Sequence, residues 1–446
     1  MTETGTSTWR FPREFWIANL IELCERAAYY GCFIYLAVYL TKEVGYTDAQ
    51  TGDITGVFAF LLYFMPTFMG ALADKVGFRS ALALAFALLC SGYAVLGLFP
   101  LKGAAIAALA LIMLGGAIVK PVISGTAARC SDDLNRARAF SIFYWMVNIG
   151  AFTGKLMVDP IRTVFRDDAA GITGLRQINY YSAACAFVAL LLVLIAFRVK
   201  EDPGKGKSFG EILQGLRKVV TNFRFMCLIV IVGGFWTLQG QLYATMPKYL
   251  LRMVSDFAKP GWLANVNPLV VVLCVLPVTH LARKLRPVTS IAIAMAIIPL
   301  SALSVALAPK LGTGNLSIGA ISLHPVTLML VIGIAFQGLA ESFLSPRYFE
   351  YASKQAAKGE EGLYMGYCNL TTAFAWGFAF ILSGRLLERW CPDPKVVAAM
   401  PPEQAATAYQ HAHYIWYVYS AIGLGAFLAL LIFRWGTDRL DRRNVA

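Results

Sequence analysis

The 446 residues are 58% apolar and only 15% charged, with a mean hydropathy of +0.61, a balance that excludes a soluble globular protein and points to a chain crossing a membrane many times. The net charge of +13 would suit nucleic acid, but the basic residues sit in short loops between apolar runs, as the positive-inside rule expects, so no nucleic-acid partner is implied. The nine cysteines are scattered without metal-type spacing and read as small buried hydrophobes, and the pair His411 and His413 is too little to argue a metal.

A hydrocarbon core of ~30 Å takes about 20 mainly apolar residues per helix. Twelve segments qualify, at 11–40, 50–73, 80–99, 103–128, 138–159, 176–198, 225–250, 262–282, 287–308, 324–350, 363–388 and 412–434. The polar start, residues 1–10, carries no cleavable signal pattern, so the first helix is expected to target the chain itself. Lys and Arg number 24 in the loops on the side of the termini and 11 in the loops opposite, which predicts that both termini are cytoplasmic. The expected fold is an all-α membrane protein with twelve transmembrane helices in two six-helix halves, 1–199 and 225–446, joined by a cytoplasmic linker at 200–224.

The first segment places Glu22, Glu25 and Arg26 inside an otherwise apolar run, where charges are expensive and face a partner or a wet cavity. Residues three and four apart share a helix face, so Glu22, Glu25, Arg26, Tyr29, Tyr30 and Phe33 form a stripe able to hold or pass a proton. After the second segment comes Gly70-Ala-Leu-Ala-Asp74-Lys-Val-Gly77-Phe-Arg79, in which Asp74 can cap or bridge a closed inner face. In the fourth segment Lys120 lies deep, followed by Pro121 and preceded by Gly115 and Gly116, so its ammonium can reach a cavity. Lys155 and Asp159, four apart in the fifth, read as a local pair, and Asp53 as interfacial.

The linker puts Ile212, Leu213, Leu216, Val219, Val220 and Phe223 at helical spacing, an amphipathic helix on the inner membrane surface with Lys207, Arg217, Lys218 and Arg224 toward lipid headgroups. Trp236, Gln239 and Gln241 in the seventh segment and Asn267-Pro268 in the eighth supply polar and aromatic groups suited to a midplane substrate site. Glu341, with Ser342, is the acid of the tenth. Its ionised form needs a cation and its protonated form none, so a Lys120–Glu341 contact would respond to protonation and act as a gate.

Two six-helix halves and the 70–79 loop resemble the major facilitator superfamily. Within it, Glu22-Leu-Cys-Glu25-Arg26-Ala-Ala-Tyr29-Tyr30-Gly31 is similar to the first-helix motif of the proton-coupled oligopeptide transporters, Glu-x-x-Glu-Arg-Phe-x-Tyr-Tyr-Gly. Phe143-Tyr144-Trp-Met-Val-Asn148-Ile-Gly150 resembles their fifth-helix motif, and Lys120-Pro121, Tyr63 with Pro66, Asn267-Pro268 and Glu341 to Pro346 fall where that family has similar residues. The resemblance implies proton coupling by Glu22, Glu25, Arg26 and Glu341. It implies a substrate pocket lined by Tyr29, Tyr30, Phe33, Tyr63, Lys120, Asn148, Trp236, Gln241, Asn267, Glu341 and Ser342, with Lys120 meeting the peptide carboxylate. Gating falls to Asp74, Arg79, Lys120 and Glu341.

The expected function is proton-coupled import of di- or tripeptides or peptide-like molecules by alternating access, with the proton gradient and no cofactor or metal. Small carboxylate-bearing substrates and lipid are the expected partners of a monomer in a bacterial inner membrane. Phe33 stands where the family commonly has an arginine, Gly240 where it has an acid, and Met365-Gly366-Tyr367 lacks the usual tryptophan. These departures define the alternative, a divergent member carrying a modified peptide, an amino-acid-derived chelator or another small organic anion. No nucleophile-base set supports an enzyme.

Overall fold

The computed structural model describes residues 11–132, 135–165, 173–198, 209–312, 314–318, 321–355 and 367–443. Their helices are α1 (Arg13–Lys42), α2 (Asp48–Phe64), α3 (Pro66–Val76), α4 (Phe78–Leu98), α5 (Lys102–Arg129), α6 (Arg136–Val164) and α7 (Gly174–Ile195), then α8 (Phe209–Thr221) and α9 (Phe223–Ala244). There follow α10 (Met246–Met253), α11 (Pro260–Ala264), α12 (Val266–Ala282), α13 (Pro287–Ala306), α14 (Pro325–Gln355), α15 (Asn369–Trp390), α16 (Pro394–Ala398), α17 (Pro402–Thr407) and α18 (Tyr414–Arg443). Two short strands, β1 (Leu316–Ile318) and β2 (Ile321–Leu323), pair antiparallel with Leu316 opposite Leu323, a hairpin that the apolar pattern does not announce.

Among the described residues nine helical stretches are long and apolar enough to cross a bilayer, and α2 with α3 makes a tenth. α1 and α6, of 30 and 29 residues, reach about 45 Å at 1.5 Å per residue but are more polar in composition. These twelve follow the order of the expected segments, and the chain is an integral membrane protein of helical architecture. Large apolar side chains such as Val230, Leu276, Leu281 and Ile432 are 69–76% exposed, as suits surfaces that meet lipid rather than water.

Proline divides several segments expected to be continuous. Pro66 opens α3, and the α2–α3 pair bends by 50° there, because proline fits the first helical turn but cannot extend the one before it. The seventh segment breaks at Thr245, with Pro247 in the first turn of α10, and the eighth breaks at Asn265 ahead of α12. Gly77 joins α3 to α4 at φ +94°, a left-handed conformation that glycine accepts without a Cβ clash.

The chain forms two compact units, Met1–Gly45 with Leu61–Leu213, and Tyr46–Phe60 with Gln214–Ala446. In the first, α1 packs on α6 and α7, and α4 on α5 and α7. In the second, α13 packs on α14 and α18, α12 on α14, and α9 on α15. The start of α2 belongs to the second unit because glycines bring it onto α15: a Cβ on Gly52 would sit 2.6 Å from Phe380 O, and one on Gly384 2.4 Å from Asp48 O. The expected linker helix is α8, with Ile212 and Val219 buried and Arg217 and Lys218 exposed. Residues 200–208, Lys207 included, lie outside the described residues, as do Met365 and Gly366.

Several helix C-termini receive an arginine. Arg79 donates to Leu194 O of α7 at 2.6 Å, Arg176 to Gly97 O and Leu98 O of α4 at 2.7 and 3.1 Å, Arg347 to Ala282 O of α12 at 2.6 Å, and Arg252 to Cys391 O after α15 at 2.5 Å. Each satisfies carbonyls that have no partner within their own helix and meets the negative end of its dipole.

Candidate functional site

In the first unit α1 carries the charged stripe into the core: Glu22, Glu25 and Arg26 are 3%, 2% and 6% exposed. Arg26 bridges both acids, Nε lying 3.2 Å from Glu22 Oε1 and the guanidinium bonding Glu25 directly. Glu22 Oε2 has no hydrogen-bond partner among the described residues. The arginine carbon lies 5.5 Å from the Tyr29 ring centroid and 6.0 Å from that of Tyr30, so aromatic faces shield a cation that two carboxylates neutralise.

The motif glycines of α6 explain how α1 is held. A Cβ on Gly150 would sit 2.5 Å from Leu23 O and 2.7 Å from Arg26 Cβ, and one on Gly154 2.5 Å from Ala27 O. Only bare backbone allows α6 to lie against the turn that bears Arg26. Asn148, on the same helix, donates to Tyr144 O at 2.8 Å and is half-buried.

Lys120 stands immediately before Pro121, which is inside α5. Its ammonium lies 3.8 Å from the centroid of the Tyr63 ring, the geometry of a cation on an aromatic face. Lys120 and Tyr63 are both partly exposed. Phe33, the expected lining residue on the same face, is 2% exposed and stacks on Tyr29 at 4.9 Å and 18°. An apolar ring inside an apolar unit gains from such packing.

In the second unit Glu341 Oε2 accepts from Gln239 Nε2 at 2.8 Å and from Asn267 Nδ2 at 3.4 Å. Asn267 is placed there by the break between α11 and α12, and Gln239 by α9. Gln241 is the expected site residue that lies elsewhere. It is 1% exposed, donates to Thr237 O and Ala379 O, and accepts from Thr245 Oγ1 at 2.6 Å. Two residues apart on a helix point to different sides, so Gln239 takes the place beside Glu341. Ser342 is also buried and bonds Gly338 O of its own helix at 2.9 Å. Trp236 is half-buried beside Phe235. At Gly240 a Cβ would meet Ala379 Cβ at 3.2 Å and Trp376 at 3.4 Å, so α15 fills the space a longer side chain would take.

Asp74 pairs within the first unit with Arg129 at 3.2 Å, whose guanidinium stacks 3.9 Å over Phe78. Arg79 is engaged by Leu194 O. Lys155 and Asp159 are 2% and 0% exposed, Asp159 accepts from Tyr35, and Asp53 forms a half-exposed pair with Arg385 at 2.8 Å. A further cluster stands out. Asp48 is bound by Lys248 at 2.7 Å and Arg252 at 2.8 Å, and Arg252 reaches Asp393 at 3.2 Å. Lys248 was visible as a charge inside an apolar segment, with Arg252 one turn on; their partners, far away in sequence, were not.

The chain matches the Major Facilitator Superfamily over residues 19–323. Dipeptide and tripeptide permease A of Erwinia pyrifoliae is 29% identical over 251 residues, covering 54% of this chain and 47% of the permease. The permease of the same name from Klebsiella pneumoniae is 32% identical over 261 residues, covering 57% and 50%. The chain thus spans about half the length of the curated relatives it matches. A crystal structure of a POT family transporter in complex with a thioalcohol-conjugated peptide superposes with a TM-score of 0.75 and 18% identity over 97% of this chain and 98% of the other. Another POT family transporter, in complex with 5-aminolevulinic acid, gives 0.73 and 18% over 96% and 98%. At such identities the likeness is one of fold.

Proposed function

Because the chain belongs to the major facilitator superfamily, we propose that it is a proton-coupled importer of di- or tripeptides or peptide-like small molecules, working by alternating access. The observation that carries the reading is the set of chemistries each unit holds: in the first, buried acids on one arginine and Lys120 on a partly exposed face, and in the second, Glu341 held by two amides. Glu22 or Glu25 takes a proton, which releases Arg26 from one of its two anions. Lys120 receives the substrate carboxylate, for which it leaves the Tyr63 ring. Glu341 exchanges a proton or a cation while Gln239 and Asn267 keep it oriented.

Lys120 and Glu341 are the gating residues of this scheme, and Asp74 with Arg79 secure the inner ends of the helices in the first unit. The substrate-facing set comprises Tyr29, Tyr30, Tyr63, Lys120, Asn148, Trp236, Asn267 and Glu341. The proton gradient is the driving force without a cofactor, and the protein acts as a monomer in a bacterial inner membrane with both termini cytoplasmic. The family of its curated relatives supports the substrate class. Uptake of a labelled dipeptide into proteoliposomes with an inward proton gradient tests it. Gradient-dependent uptake that Lys120→Ala and Glu341→Gln each abolish is expected; normal uptake by both variants refutes the scheme.

A further inference from the structure

Glu22 Oε2, buried and without a hydrogen-bond partner among the described residues, has a neighbour in the same condition. Asn19 stands ahead of the motif that begins at Glu22 and is 1% exposed, and its Oδ1 is likewise without a partner among the described residues. The amide is oriented by Nδ2, which donates to Phe15 O at 2.8 Å; turned over, it would set oxygen against oxygen. Phe15 is 0% exposed and packs with Ala127 and Ala139, so the turn is apolar and a bare acceptor in it is unfavourable.

Asn19 and Glu22 lie three apart on α1 and hence on one face. Helix side chains lean toward the N-terminus, so a carboxylate at 22 covers the turn that bears 19, just as the Arg26 guanidinium reaches back to Glu22. Two acceptors cannot bond each other. A proton on Glu22 serves both atoms at once, since a carboxyl O–H donates and an amide oxygen accepts.

Arg26 decides which acid is free to take that proton. It engages Glu25 through Nε and a terminal nitrogen, whereas Glu22 has Oε1 3.2 Å from the same Nε. Two carboxylates on one arginine carry an excess negative charge; a proton on Glu22 cancels it and leaves the closer Arg26–Glu25 pair whole. Arg26 and Glu25 on its own helix and Lys120 on α5 are the charges that act on Glu22 among the described residues. Of the other helices packed on α1, α6 meets this turn with Gly150 and α7 brings Cys185, which acts on Cys24.

We propose that Asn19 is the acceptor for the protonated carboxyl of Glu22, a positioning residue that fixes the exchangeable proton of the first unit on Glu22 Oε2. Resting on the proton role proposed above, a proton taken from solvent onto Oε2 forms an O–H···O bond to Asn19 Oδ1. Its release breaks that bond and returns the second anion to Arg26.

Infrared difference spectroscopy of the full chain in lipid nanodiscs, between alkaline and acidic buffer, tests the assignment. The C=O stretch of a protonated carboxyl stands apart from that of a carboxylate and falls in frequency when its O–H donates a hydrogen bond. A carboxyl band that Glu22→Gln removes and Glu25→Gln keeps is expected. Asn19→Leu should shift that band to higher frequency, and Asn19→Gln, which retains an amide oxygen, should hold it low. A band that survives Glu22→Gln overturns the proposal, as does a folded Asn19→Leu protein whose band has not moved. Should Asn19→Leu fail to fold, Asn19→Ala, which adds no bulk, takes its place with the same shift expected. No substrate is added and uptake is not read, so failure of the transport reading would leave this result standing.

Discussion

Asp48→Asn is expected to be among the most damaging single substitutions in the second unit. Asp48 accepts from Lys248 at 2.7 Å and from Arg252 at 2.8 and 3.0 Å, and all three side chains are only 3–5% exposed. Arg252 would keep Asp393 and the Cys391 carbonyl, but Lys248 would lose the carboxylate that offsets its burial. Breaking a buried pair by removing one partner costs about 3–5 kcal/mol. For a unit of roughly 250 residues, with about 2–4 °C per kcal/mol, this amounts to a fall of about 6–20 °C. A thermal scan in detergent, followed by tryptophan fluorescence, reads it directly. Asp48→Leu combined with Lys248→Met should regain most of the loss, because an apolar pair needs no desolvation of charge. A fall under about 2 °C for Asp48→Asn, or a double variant no better than the single, would refute the argument that Lys248 depends on this carboxylate.

Arg26→Met leaves Glu22 and Glu25 buried without their cation and should destabilise by about 3–5 kcal/mol; adding Glu22→Gln and Glu25→Gln should restore much of the melting temperature while gradient-driven uptake stays absent. Gly150→Val would force a side chain against Leu23 O and Arg26 Cβ, at about 1–3 kcal/mol for overpacking, seen as a lower melting temperature together with slower uptake. Arg385→Ala removes a pair whose side chains are 49% and 48% exposed; such pairs contribute about 0–1 kcal/mol, so its thermal scan should nearly overlay that of the unsubstituted protein.

The charged stripe of α1 was legible because a membrane makes intramembrane charge conspicuous: Glu22, Glu25 and Arg26 needed no partner from elsewhere to be noticed, and they satisfy one another locally. Lys120 and Glu341 were legible for the same reason. What surrounds them was not. Tyr63 beneath Lys120 is 57 residues away, and the choice of Gln239 over Gln241 depends on the rotation of α9 about its axis, which a short apolar segment leaves open. The shared face of Phe33 and Tyr29 is legible from their spacing, but the stacking of the two rings is not. Asp48 escaped notice as an ordinary residue at a helix start, since its meaning comes from Lys248 and Arg252, 200 and 204 positions on. Apolar length picks out nine of the described helical stretches, and a tenth with α2 and α3 taken together, whereas the bend at Pro66 and the breaks at Thr245 and Asn265 are set by prolines whose local effect a hydropathy window averages away.

The arginines that seal helix C-termini carry a lesson for topology. Arg79 and Arg347, which seal α7 and α12, are counted among the positive charges whose excess predicts the cytoplasmic side, while Arg176 and Arg252, counted in the opposite set, do the same service from within α7 and α10. Charge that orients a nascent chain and charge that finishes a folded one are thus drawn from one population of residues. A lysine replacing Arg79 would preserve the vote for orientation but lose the forked donor that reaches a carbonyl end-on. Biogenesis and stability can therefore be separated at a single position: insertion would proceed in the correct sense, and the finished bundle would fray where α7 ends.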